Sequence, residues 1–156
     1  MKAATINELK QELSGVPPAK VTELCIRLAR FKKENKELLT YLLFEADDTQ
    51  AYIKNVKDEM DLQFAEMNKS NVYFMKKTLR KILRTTAKYI RYCGLATAEI
   101  ELLIYFCVCM KALNIPINKN PVLSNMYLSQ LKKINKALAT LHEDLQYEYV
   151  REINKL

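Results

Sequence analysis

The chain has 156 residues, of which 49% are hydrophobic and 28% are charged, and its formal net charge is +7. This length suits one domain with a buried core, and the composition is ordinary for a globular protein. Two glycines are too few for a glycine-rich phosphate loop, which excludes the P-loop and dinucleotide-binding classes. With one histidine and no clustered cysteines, we expect no metal site, no cofactor and no catalytic residue.

The apolar segments are too short to indicate membrane insertion. The N-terminal MKAATINELKQEL has no apolar stretch after its lysine, so we expect no signal peptide. The most apolar run, LLIYFCVCM at 102–110, is far shorter than the about 20 residues that cross a bilayer. The four cysteines lie in apolar surroundings, as free thiols do in a reducing compartment. We therefore expect a soluble, cytoplasmic protein without a membrane partner.

The local sequence signals predict helices and no strands, because helix formers dominate and no alternating apolar run occurs. Gly15 and Gly94 are expected to end helices, since glycine tolerates the left-handed backbone found there. Asp47 and Asp48, Thr97 and Asn120 are expected to cap first turns, because short polar side chains accept the free N–H groups. In chain order, the predicted helices cover residues 5–14, 17–31, 36–46, 48–67, 72–92, 98–113 and 121–154.

One short motif links the two halves of the chain. ELLTY at 37–41 reappears as ELLIY at 101–105, each near the start of a very apolar helix. This echo is consistent with two repeated three-helix units, 17–68 and 72–154. The alternative is coincidence, because leucine-rich helices produce such matches by chance.

The fold class follows from the apolar helices. We expect a single all-α domain over 1–156, with about six helices in a layered helical bundle or a short α-solenoid. The helices that contain Glu37 and Glu101 are apolar on most sides, so they should be the most buried.

Two polar features could carry chemistry, but each has a simpler interpretation. Asp58 and Asp61 share a helix face and could bind a cation or share a proton, although a solvated outer face is the favoured interpretation. His142, the only histidine, is expected on the surface of the terminal amphipathic helix.

The charge distribution is the main anomaly. Residues 67–142 carry thirteen Lys and Arg side chains but only two acids, Glu99 and Glu101. On a helical wheel seven of these cations fall within an arc of roughly 140°, which we call the basic stripe. The basic stripe consists of Lys76, Lys77, Arg80, Lys81, Arg84, Lys88 and Arg91. Tyr73 lies in the same arc. A second set, the lysine cluster, consists of Lys132, Lys133 and Lys136 on the terminal helix.

The basic stripe has two interpretations. The favoured one is a solvated face, or a face paired with the acids of 58–66 within the molecule or in a dimer. The other is a surface that binds an acidic partner, because arginine and lysine bind phosphate or carboxylate groups and Tyr73 could stack on a base. If the two helices are neighbours, the basic stripe and the lysine cluster would merge into one groove.

We therefore expect a non-enzymatic helical interaction or scaffold module that binds a protein partner or forms a homo-oligomer. The alternative is a nucleic-acid-binding protein that uses the helix at 76–91. No small-molecule substrate is evident. An enzyme would need a pocket of Tyr, Asp and Lys that the sequence does not reveal.

Overall fold

All regular structure in the computed structural model, which describes residues 1–115 and 117–156, is helical. The all-α prediction is therefore confirmed for the described residues. Numbered in chain order, the helices are α1 Ile6–Ser14, α2 Pro18–Phe31, α3 Lys33–Phe44, α4 Thr49–Ala65, α5 Val72–Cys93, α6 Ala96–Ala112, α7 Pro121–Leu138 and α8 Glu143–Ile153. A short 3-10 turn, Ile117–Lys119, precedes α7.

Most helix boundaries follow the local signals. Asp48 and Asn120 accept N–H groups of the first turns of α4 and α7, as expected. Gly94 ends α5 in the left-handed conformation, with φ 69°. The prediction for Thr97 is wrong, because α6 already begins at Ala96 and the cap position belongs to Leu95.

The prediction of one terminal helix over 121–154 is also wrong. The chain breaks after Leu138 and a separate helix begins at Glu143. His142 adopts an extended backbone, with φ −63° and ψ 148°, and its ring nitrogen accepts the N–H of Asp144. This break turns the seven helices predicted in chain order into eight described α-helices, against about six in the predicted architecture. His142 is exposed as expected, but it caps a helix rather than lying within one.

The chain divides into two units, Met1–Phe44 and Glu45–Leu156. Unit 1 contains α1, α2 and α3, and α2 packs against α3. These bounds differ from the expected units 17–68 and 72–154. The internal duplication and the single-domain organisation stay predictions.

Helix α6 forms the centre of unit 2. It packs against α4, α5, α7 and α8, and α4 also packs against α5. Its buried side chains lie on most sides of the helix, which confirms the expectation for the helix containing Glu101. These side chains are Ala98, Ile100, Leu102, Leu103, Ile104, Phe106, Cys107 and Met110. No helix in the described ranges is both long enough and apolar enough to cross a bilayer.

The matching expectation for α3 is wrong. In residues 1–44, all of which the structure describes, only Tyr41 is buried. Leu42, Leu43 and Phe44 are 56%, 63% and 79% exposed. An apolar run shows that burial of the helix is favourable, but it does not identify the surface that would cover the helix.

We expect Gly94→Ala to lower the free energy of unfolding by about 1 kcal/mol, because a side chain disfavours the left-handed backbone. A Cβ at Gly94 would meet no heavy atom within 4 Å, so the cost comes from the backbone alone. Gly15→Ala is the matched control, since Gly15 has φ −91° in the right-handed region. Chemical denaturation followed by circular dichroism measures both. Equal stabilities of the two variants would contradict the assignment.

Candidate interaction groove

Helix α5 presents the basic stripe to solvent because its other side is fixed in the core. Met75, Leu79 and Ile82 are buried, and the last two have no exposed surface. Asn71 caps the start of the helix by accepting the N–H of Tyr73 at 2.8 Å. The apolar side of α5 thus determines the orientation of the helix, and the cations lie on its solvent-exposed side.

Helices α5 and α7 both pack against α6, and a groove lies over α6 between them. We call it the basic groove; its volume is about 590 Å³. Arg84 and Arg91 of α5 line it, together with Lys133 and Lys136 of α7. The structure therefore brings part of the basic stripe and part of the lysine cluster to one place. The other predicted residues do not line the basic groove; these are Tyr73, Lys76, Lys77, Arg80, Lys81, Lys88 and Lys132.

The floor of the basic groove is apolar and contains no aromatic ring among the described residues. Its side chains are Leu83, Ala87, Ile90, Ala96, Leu103 and Ala137. Three of these are alanines, so the groove stays open between the two helices. An apolar floor under charged walls favours a ligand with an apolar face and acidic margins.

The charge of the basic groove is only partly compensated. Glu99 is the one carboxylate in its described lining, against four cations, which leaves a formal charge of +3. None of the four cations forms an ion pair within the described part of the chain. Two of the acids of 58–66 bond tyrosines: Tyr89 donates to Glu59 at 2.9 Å, and Tyr105 donates to Asp61 at 2.7 Å.

Sequence reasoning missed Gln130, which also lines the basic groove. Its side chain is 3% exposed, and its Nε2 donates to the carbonyl of Met126 at 2.9 Å. Its Oε1 is buried without a hydrogen-bond partner in the described residues. An unsatisfied buried acceptor costs about 1–3 kcal/mol. This oxygen has almost no exposed surface, so a ligand in the basic groove does not reach it.

A second polar site, the polar cluster, joins α4, α6 and α8. Lys57 pairs with Glu101 at 3.4 Å, and Tyr149 donates to Glu101 at 3.2 Å. Lys57 also lies over the ring of Tyr105, which donates to Asp61. The i,i+4 spacings of Lys57 with Asp61 and of Glu101 with Tyr105 could have indicated paired helix faces. Their meeting is a long-range contact that no local pattern reveals.

The polar cluster contains the residue types that an active site would need, but its tyrosines are not ionised near neutral pH and so do not act as bases there. Burial, and then the nearby Glu101 carboxylate, raises the pKa of Tyr149 to about 12. Burial and the bond to Asp61 also raise the pKa of Tyr105. Both hydroxyls therefore stay protonated near neutral pH and act as donors that hold α8 and α4 against α6.

Metal ligation finds no support in the described residues. No group of three or more His, Cys, Asp or Glu side chains there could hold an ion. All four cysteines are free, and burial raises the pKa of the Cys107 thiol to about 12.

Comparisons with known proteins give no match, whether with protein-family models, with curated proteins or with solved structures. The function must therefore be argued from the side chains of this chain.

Replacing Tyr149 should change the alkaline stability of the protein. The raised pKa of Tyr149 contributes stability that is fully present below pH 10.0, the ordinary pKa of tyrosine. This contribution disappears as the pH rises towards about 12, the pKa of Tyr149 in the folded protein. We expect Tyr149→Phe to be less stable at neutral pH and to lose less stability between those two pH values. Melting temperatures across this range measure the effect. Tyr147→Phe, at a side chain 70% exposed, should follow the wild type; parallel profiles for all three proteins would refute the role of Tyr149.

Proposed function

We propose that this protein is a non-enzymatic interaction module whose basic groove binds an acidic, amphipathic helical segment of a partner protein. The observation that supports this most is the apolar floor enclosed by Arg84, Arg91, Lys133 and Lys136. A helix in such a groove buries its apolar face on the floor and places its carboxylates against the cations. Bidentate bonds from arginine to carboxylate would fix the orientation of the helix.

Nucleic acid is the second candidate, because the basic stripe continues along α5 beyond the basic groove. Lys77, Arg80 and Lys81 are exposed and could contact phosphates. Two features count against it as the main ligand. The floor of the basic groove offers no ring on which a base could stack, and Tyr73 packs edge-to-face on Phe74 outside it.

We also propose a cytoplasmic location, which agrees with four cysteines that form no disulfide in the structure. A reducing compartment would keep the exposed Cys25 as a thiol.

A pair of charge-reversal variants tests the basic groove. Arg84→Glu with Lys133→Glu changes one residue on each wall, whereas Lys81→Glu with Lys132→Glu makes the same charge change outside the lining. The probe is a labelled amphipathic peptide with leucines on one face and glutamates at the margins. By fluorescence anisotropy, we expect the first variant to bind at least about tenfold more weakly, a loss of about 1.4 kcal/mol. The control should stay within about twofold, because exposed isolated charges contribute little.

The same proteins titrated with single- and double-stranded DNA and RNA distinguish the second candidate. About four duplex phosphate contacts would weaken binding by roughly two orders of magnitude between about 50 and 200 mM salt. Such a salt dependence, with equal losses in both variants and no peptide binding, would reject the peptide groove and favour nucleic acid. Unchanged melting temperatures would show that neither variant acts through the fold.

A further inference from the structure

Unit 1 contains an apolar groove of its own, which we call the α2–α3 groove. It has a volume of about 690 Å³ and lies between the last turns of α2 and the length of α3. Ile26, Ala29, Leu39 and Leu43 line it. Ile26 and Leu43 are 44% and 63% exposed, so an uncovered apolar surface remains in the folded chain. Covering such an apolar surface lowers the free energy of the protein in water.

All the charged residues that line the α2–α3 groove are cations, and they form its rim. Arg30, Lys32, Lys33 and Lys36 surround the apolar side chains. Lys33 is paired with Glu37 on its own helix at 3.7 Å, whereas the other three cations have no ion pair in the described residues. The best occupant is therefore a short helix with an apolar face and a carboxylate at its margin.

Helix α1 of this same chain has that chemistry. Ile6, Leu9 and Leu13 fall within an arc of about 60° on its surface, with Glu12 on one margin of that arc and Lys10 on the other. The three apolar side chains are 82%, 47% and 44% exposed, and no residue of α1 is buried. Nevertheless α1 is a well-defined helix, because Thr5 and Glu8 form a reciprocal cap at its start.

The dimensions of α1 also suit the α2–α3 groove. Its nine residues make a helix about 14 Å long, shorter than the twelve residues of α3 beside which it would lie. No residue of α1 lines the α2–α3 groove of its own chain. Between α1 and α2, Gly15 caps α1 and Pro17 holds an extended backbone, with φ −58° and ψ 144°.

We infer that two copies of this chain form a dimer by exchanging α1, so that each α1 occupies the α2–α3 groove of the other copy. Ile6, Leu9 and Leu13 then cover the apolar lining, and Glu12 meets the rim cations. Each chain supplies one helix and one groove, and the exchange closes at two copies when a two-fold axis relates them. The inference depends on residues 1–44 alone and is independent of the basic groove.

The first test is the mass of the full chain in solution, measured by light scattering and by sedimentation. We expect the mass of the 18.2 kDa chain to double. Leu9→Gln with Leu13→Gln should abolish the dimer, because glutamine removes the apolar anchors and preserves the helix propensity. Leu62→Gln with Leu128→Gln is the matched control on α4 and α7, where the two leucines are 66% and 48% exposed, and it should dimerise like the wild type. A monomeric wild type, or a dimer that survives the α1 substitutions, would overturn the inference.

A cross-linking experiment distinguishes exchange between copies from folding back within one chain. Both proteins carry Cys25→Ser, one also carries Leu9→Cys, and the other carries Ala29→Cys and a mass tag. After mild oxidation of the mixture, we expect a disulfide that joins the two different chains. In a third protein that carries Cys25→Ser, Leu9→Cys and Ala29→Cys together, a disulfide that forms only within one chain would reject the exchange. Monomers that instead bind phosphatidylserine vesicles would also reject it and would identify the groove as a membrane-contacting surface.

Discussion

The burial of α6 is the constraint on which unit 2 depends. A helix that is apolar on most sides must be covered on those sides, and α4, α5, α7 and α8 pack against it. Each of these neighbours has an apolar side for α6 and a polar side for solvent. Helices α5 and α7 are therefore fixed on α6 with their cations outward, and the basic groove is the space left between them. The candidate site is thus a consequence of how the core is covered.

The sequence predicts the fold well where local chemistry decides. Asp48, Asn120 and Gly94 act at helix ends as expected, since capping depends on a few adjacent atoms. The break before His142 was missed because it contains neither glycine nor proline. The exposure of α3 was missed for a different reason: the ELLTY and ELLIY segments are alike in composition, but only the second is surrounded by neighbouring helices.

The candidate site was predictable only in part. A helical wheel identifies the outward cations of α5, because the apolar residues define the opposite side. It cannot decide that Arg84 and Arg91 face α7 while Lys77 and Lys81 do not, since this depends on how both helices sit on α6. Gln130 gave no signal at all, because a glutamine in an amphipathic helix is usually solvated. The meeting of Glu101 with Tyr149 likewise depends on the separate position of α8.

The single carboxylate in the basic groove has a consequence for the register of a bound segment. Glu99 projects from α6 among the cations of the two walls. A uniformly acidic ligand would bring one of its carboxylates towards Glu99, and like charges at close range repel. The ligand that fits best is therefore a sequence with acids at its two edges and a neutral or basic residue between them. If the proposed function is correct, Glu99 would therefore favour segments with this charge order over uniformly acidic ones.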